Sequence, residues 1–123
     1  MEKTFGSFIC EKRTQKNITL RTLANMIGVS PVYISSMEKG RRSAPKYPVL
    51  LRFAQALMLN DDEKILFFDL AAKSKKSPTI AADLLTYINE NEIVHKALRT
   101  AKMCNATDED WQNFIDSLLV KEI

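Results

Sequence analysis

Residues 19–40 read Thr19-Leu20-Arg21-Thr22-Leu23-Ala24-Asn25-Met26-Ile27-Gly28-Val29-Ser30-Pro31-Val32-Tyr33-Ile34-Ser35-Ser36-Met37-Glu38-Lys39-Gly40, and they hold two helical patterns with only a short gap between them. Leu20, Leu23, Ala24 and Ile27 recur at spacings of three and four, which predicts one apolar helical stripe. Gly28 follows it as a left-handed cap candidate. A second helix starts at once: Ser30 offers a hydroxyl to an orphan backbone N–H, and Pro31 suits the first helical position, where no N–H is needed. Ile34 and Met37 carry the apolar face on to Gly40. Two short helices joined this tightly must cross steeply.

The order of residue types matches a helix-turn-helix. Ala24, four residues before Gly28, stands where the first helix must approach the second closely, and Ile34 and Met37 anchor the second helix to a core. This pattern resembles the Xre family of phage and bacterial repressors, relatives of the lambda-type repressors. The following Ser36-Met37-Glu38-Lys39-Gly40-Arg41-Arg42-Ser43-Ala44-Pro45 resembles that family's frequent ExGxR ending. The resemblance implies an all-α, lambda-repressor-like five-helix DNA-binding domain, assigned to residues 1–72, with a C-terminal helical extension over residues 79–123. It also implies that the second helix of the pair lies in the major groove as a recognition helix.

The remaining helices are expected around this pair. Phe5, Phe8 and Ile9 predict a first helix whose apolar edge belongs to the core, with a turn at Asn17 and Thr19 capping the next helix. Arg13 and Lys16 on its polar side either reach phosphate or form a solvated charged face. Pro48 opens a fourth helix in which Leu50, Leu51, Phe53, Ala54 and Leu57 predict a broad core stripe. Asn60 and Glu63 stand at reciprocal capping-box positions before a fifth helix, whose core residues are expected to be Ile65, Leu66, Phe67, Phe68 and Leu70. The acids Asp61, Asp62 and Glu63 complement the helix dipole. They lack the twelve-residue oxygen-ligand loop of a calcium site. Each of the three glycines falls at a helix start or end.

Candidate DNA contacts follow from these positions. On a helix opening at Pro31, the residues opposite Ile34 and Met37 are Val32, Tyr33, Ser36 and Lys39, with Ser35 more oblique. Val32 suits a thymine methyl, Tyr33 a sugar or a hydroxyl-mediated hydrogen bond, and Ser36 several base edges. None imposes a unique base, so no operator sequence follows. Arg41, Arg42 and Lys46, in the loop leaving the recognition helix, are the best phosphate contacts, and such contacts make affinity depend on salt. Many members of the resembled family carry Gln where this chain has Leu20, and leucine cannot hold a phosphate. Thr19 and Arg21 stand beside it as substitutes, and Ser30 completes the contact set at the turn.

Charge divides the chain. The net charge of +3 conceals a first half, residues 1–60, with 10 Lys and Arg against 3 Glu, and a second half, residues 61–123, with 8 against 12 acidic residues. A basic half suits a polyanion; an acidic, apolar-patterned half is free for another task. The polar, proline-ended run from Lys73 to Pro78 marks the boundary. Beyond it, helices are expected over residues 79–89, 92–103 and 107–120, the last capped by Thr107. Trp111, Phe114, Ile115, Leu118 and Leu119 repeat at three and four, an apolar face too large for a lone terminal helix to leave in water. That face packs within the chain, against another copy, or against a foreign protein. A homodimer is favoured, because two recognition helices then meet half-sites roughly 34 Å apart.

Other functions find little support. Cys10 and Cys104 lack paired spacing, and His95 has no second histidine to complete a metal site. No nucleophile has companions in a recognisable catalytic motif, and there is no glycine-rich phosphate loop. No enzyme activity, cofactor or metal is expected. No stretch approaches the roughly 18 apolar residues that span a bilayer, so a cytoplasmic, reduced setting is expected. The partners expected are double-stranded DNA, a second copy and, through the C-terminal helices, a protein partner. The alternative reading is an antitoxin-like or mobile-element interaction protein that neutralises a partner protein and autoregulates its operon.

Overall fold

The computed structural model describes residues 3–77 and 79–121. Within them the chain is all-helical: α1 (Phe5–Gln15), α2 (Leu20–Ile27), α3 (Pro31–Glu38), α4 (Tyr47–Ala56), α5 (Asp61–Lys73), α6 (Ala82–Glu90), α7 (Glu92–Met103) and α8 (Asp108–Val120). Two compact units divide it, Met1–Leu85 and Thr86–Ile123, so the division runs through α6. Pro78, at the end of the polar run read as a boundary, lies outside the described residues. Among the described residues no helix is long and apolar enough to cross a membrane.

Local chemistry sets the helix ends. Thr4, Thr19, Ser30, Asn60 and Thr107 each accept a backbone N–H from three residues on, giving an otherwise orphan donor a partner. At α5 the box is closed both ways: Asn60 Oδ1 accepts from the Glu63 N–H at 2.8 Å, and Glu63 Oε1 accepts from the Asn60 N–H at 2.9 Å. The exits of α1 to α4 are left-handed. Asn17, Gly28, Gly40 and Met58 have φ of 56°, 85°, 75° and 51°. Gly40 closes α3 with its own N–H on the Met37 carbonyl and the Arg41 N–H on the Ser36 carbonyl, the paired bonds of a Schellman turn.

In the first unit α1 packs on α3 and α5, α2 on α3 and α4, and α4 on α5. Phe67 of α5 is the hub of the core. Its ring centroid lies 5.4 Å from that of Phe5, 5.8 Å from Phe8, 6.5 Å from Phe53 and 5.5 Å from Phe68. Leu23 and Ile27 from α2, and Ile34 and Met37 from α3, are also fully buried. The apolar spacing therefore points these two helices inward as expected. The core stripes of α4 and α5 are narrower than the sequence pattern implies: Leu51, Ile65 and Leu66 are exposed. Each helix has room for one buried face only, and these residues fall on its edge.

Gly6 stands at the start of a helix as read, and the reason is a close approach. It is buried within the first turn of α1, where a Cβ would overlap the backbone carbonyls of Met37 and Glu38. Only a residue without a side chain lets α1 lie directly on the end of α3. Ala81 is buried in the same core, so the segment after the polar run still contributes to the first unit.

The second unit is different in kind. Helices α7 and α8 are amphipathic, yet neither has a buried residue. Trp111 and Phe114 stand edge to face on α8, centroids 6.2 Å apart.

Candidate nucleic-acid interface

The candidate contact residues all belong to the first unit, on α2 and its N-cap, on α3 and on the two loops that frame α3. Three anchors hold this frame. The Arg13 guanidinium of α1 donates to both carboxylate oxygens of Glu38 at the end of α3, Nε to Oε2 at 2.8 Å and Nη2 to Oε1 at 3.0 Å, and its Nη1 donates to the Ile18 carbonyl at 2.9 Å. Arg13 is therefore committed within the fold and belongs to neither of the roles open to it in the sequence. Lys16 Nζ lies 3.4 Å from the Met58 carbonyl, an exposed contact. The Glu38 of the ExGxR ending is thus a structural residue. Burial pushes the neighbouring Cys10 thiol up, and the Glu38 carboxylate pushes it further, so the thiol keeps its proton.

The second anchor is Arg52 of α4, whose Nη1 donates to the Ile27 carbonyl at 3.1 Å and satisfies the end of α2. The third holds the basic loop. Ala44, buried in the middle of it, donates its N–H to Ser74 Oγ at 2.9 Å and accepts from Lys75 Nζ at 2.6 Å. Ser74 and Lys75 lie in the polar run read from sequence as a boundary. In the fold they fasten the loop between α3 and α4 to the end of α5. Nothing local in the run signals this, because both partners lie about thirty residues away in the chain.

Around these anchors the candidate residues fall into three groups. Val32 is 75 % exposed, and Lys39, Arg41, Arg42 and Lys46 are exposed as well. Arg21 stands exposed in the first turn of α2. Thr19 and Ser30 are exposed but already act as caps: Thr19 Oγ1 accepts from the Thr22 N–H at 3.0 Å, and Ser30 Oγ accepts from the Tyr33 N–H at 3.1 Å. Tyr33 and Ser36 are half-buried, closer to the core than residues opposite Ile34 and Met37 would be. The Tyr33 ring packs against the core edge and carries the Arg42 guanidinium 4.8 Å above its centroid. This cation–π contact couples the helix to the basic loop and presents one face of the guanidinium to solvent. Leu20 is half-buried against the core, so its side chain has a packing role there.

The arrangement is a short helix with one exposed edge, flanked at its exit by three exposed cations on an anchored loop. Exposed cations beside an open helix edge are the groups that suit a polyanion. Among the described residues no three His, Cys, Asp or Glu side chains converge as a metal-binding set. No curated protein and no solved structure matches the chain. Residues 11–63, from the middle of α1 to the first turn of α5, match the helix-turn-helix family model.

Proposed function

We propose that the protein is a sequence-specific, double-stranded DNA-binding transcriptional regulator, most simply a repressor that occupies an operator as a homodimer and occludes promoter elements. The observation that carries this is the placement of Val32 on the open edge of α3 and of Lys39 at its C-cap, beside Arg41, Arg42 and Lys46 on a loop held at Ala44 by Ser74 and Lys75. A fixed cationic loop next to an exposed helix edge separates phosphate positioning from base reading, as DNA recognition requires. In this reading α3 enters the major groove, with Val32, Ser36 and Lys39 toward bases. Arg41, Arg42, Lys46 and Arg21 meet phosphates, and Thr19 and Ser30 add hydroxyls at the backbone.

The test is fluorescence anisotropy of the full chain on its own upstream DNA and on an unrelated duplex of equal length, across a salt series, with an Arg41→Ala/Arg42→Ala variant alongside. Preference for the upstream duplex is expected. The variant should bind more weakly on both duplexes and flatten the slope of log K against log salt by about 0.9 for each lost phosphate contact. Equal or absent binding on both duplexes overturns operator binding at that site.

The exposed apolar face of α8 also supports a second reading, an antitoxin-like or mobile-element interaction protein that neutralises a partner and regulates its own operon. A stoichiometric complex with a neighbouring gene product would favour it.

A further inference from the structure

We propose that α7 and α8 form a self-complementary dimer surface, in which the basic α7 of one copy lies against the acidic α8 of the other about a twofold axis. This rests on the homodimer reading above and names its surface and pairing.

The two helices leave their apolar faces open. Ile93, Leu98 and Met103 on α7, and Phe114, Ile115 and Leu119 on α8, are all exposed. Between the helices runs an open groove of about 490 Å³, lined by Ala97, Ala101 and Ala106, by Trp111 and Phe114, and by Lys96 and Asp110. Small residues together with aromatic rings make a socket for the large side chains of a helix. Exposed large apolar side chains gathered on two neighbouring helices in this way mark an interaction surface.

Charge decides the occupant. Helix α7 carries Lys96, Arg99 and Lys102 against one carboxylate, Glu92, whereas α8 carries Asp108, Glu109, Asp110 and Asp116 and no cation. Among the described residues no ion pair joins the two sets. Pairing α8 with α8 would set four carboxylates against four. Pairing α7 with α8 of a second copy sets opposite signs together, and a twofold axis makes that contact twice. A single chain thus presents both halves of a matched surface, so a second copy satisfies it completely.

The pairing is tested by sedimentation equilibrium on the full chain, comparing wild type, Lys96→Glu/Lys102→Glu, Asp108→Lys/Asp116→Lys, and an equal mixture of the two variants. Asp110 is left in place because it closes the capping box with Thr107. Circular dichroism of each variant checks that the helices persist. Wild type should be a dimer, and each variant alone should dimerise about tenfold more weakly or worse, since the reversed positions then face like charges on the opposite helix. The mixture should recover dimers at wild-type strength, because both contacts of the mixed dimer pair opposite charges. A chain bearing all four reversals should dimerise too, which covers a single variant that folds poorly. A monomeric wild type overturns the proposal, as does a dimer indifferent to both reversals or a mixture that fails to recover. The last two results leave operator binding standing, and anisotropy on the upstream duplex reports that reading separately.

Discussion

Arg13 and Glu38, twenty-five residues apart, meet through two hydrogen bonds of 2.8 and 3.0 Å, and this bidentate pair ties the first helix to the end of the recognition-helix candidate. Both side chains are largely shielded from water, so the geometry is worth more than a surface ion pair. Glu38→Gln should destabilise the fold by about 2 kcal/mol in urea titrations, because the guanidinium loses its charged acceptor and stays shielded. An Arg13→Met/Glu38→Leu double variant should recover much of that loss, since it leaves no unpaired charge behind. Equal stability of Glu38→Gln and wild type would contradict this account.

Gly6→Ala should destabilise, against the usual helix-interior trend. In an open helix the change would add up to about 1 kcal/mol of stability. Here the new methyl group meets the Met37 and Glu38 carbonyls, which belong to backbone and cannot swing aside. Overpacking of this kind costs about 1–3 kcal/mol, and the midpoint of chemical denaturation should fall accordingly.

Ser74→Ala removes a hydroxyl from a region with no candidate DNA contact, yet should weaken DNA binding. The buried Ala44 N–H loses its acceptor, at a cost of about 1–2 kcal/mol, and the loop bearing Arg41 and Arg42 loosens. Because no cation is removed, the salt slope should match wild type while affinity drops. A slope change like that of the double arginine variant would show that more than the anchor had been altered.

Glu63 links stability to pH. The Asn60 N–H, and then Lys12 at 2.6 Å, hold its carboxyl below the ordinary carboxylate value. A folded-state value depressed below the unfolded one contributes stability in full above the unfolded value, near 4.5, and loses it as pH falls through the folded value. Glu63→Gln should therefore be less stable than wild type at neutral pH, with the gap narrowing as the medium is acidified through that window. Denaturation midpoints at neutral and acid pH measure the gap directly.

The sequence by itself determined the features that depend on a few neighbouring residues. The caps at Thr19, Ser30, Asn60 and Thr107, the left-handed exit at Gly28 and the inward stripes of α2 and α3 all follow from spacing and side-chain chemistry within one or two turns, and all are present. The tertiary structure alone decided which edge of an amphipathic helix meets a neighbour. Leu51, Ile65 and Leu66 fit the apolar pattern yet face water, while Tyr33 and Ser36 are drawn partly inward. It also decided the partners of polar residues far apart in the chain. Arg13 found Glu38, Ser74 and Lys75 found Ala44, and Gly6 made room for the end of α3. A hydrogen bond or a close backbone approach across twenty-five or more residues leaves no local trace, because it depends on where separate helices come to rest once their apolar faces are buried.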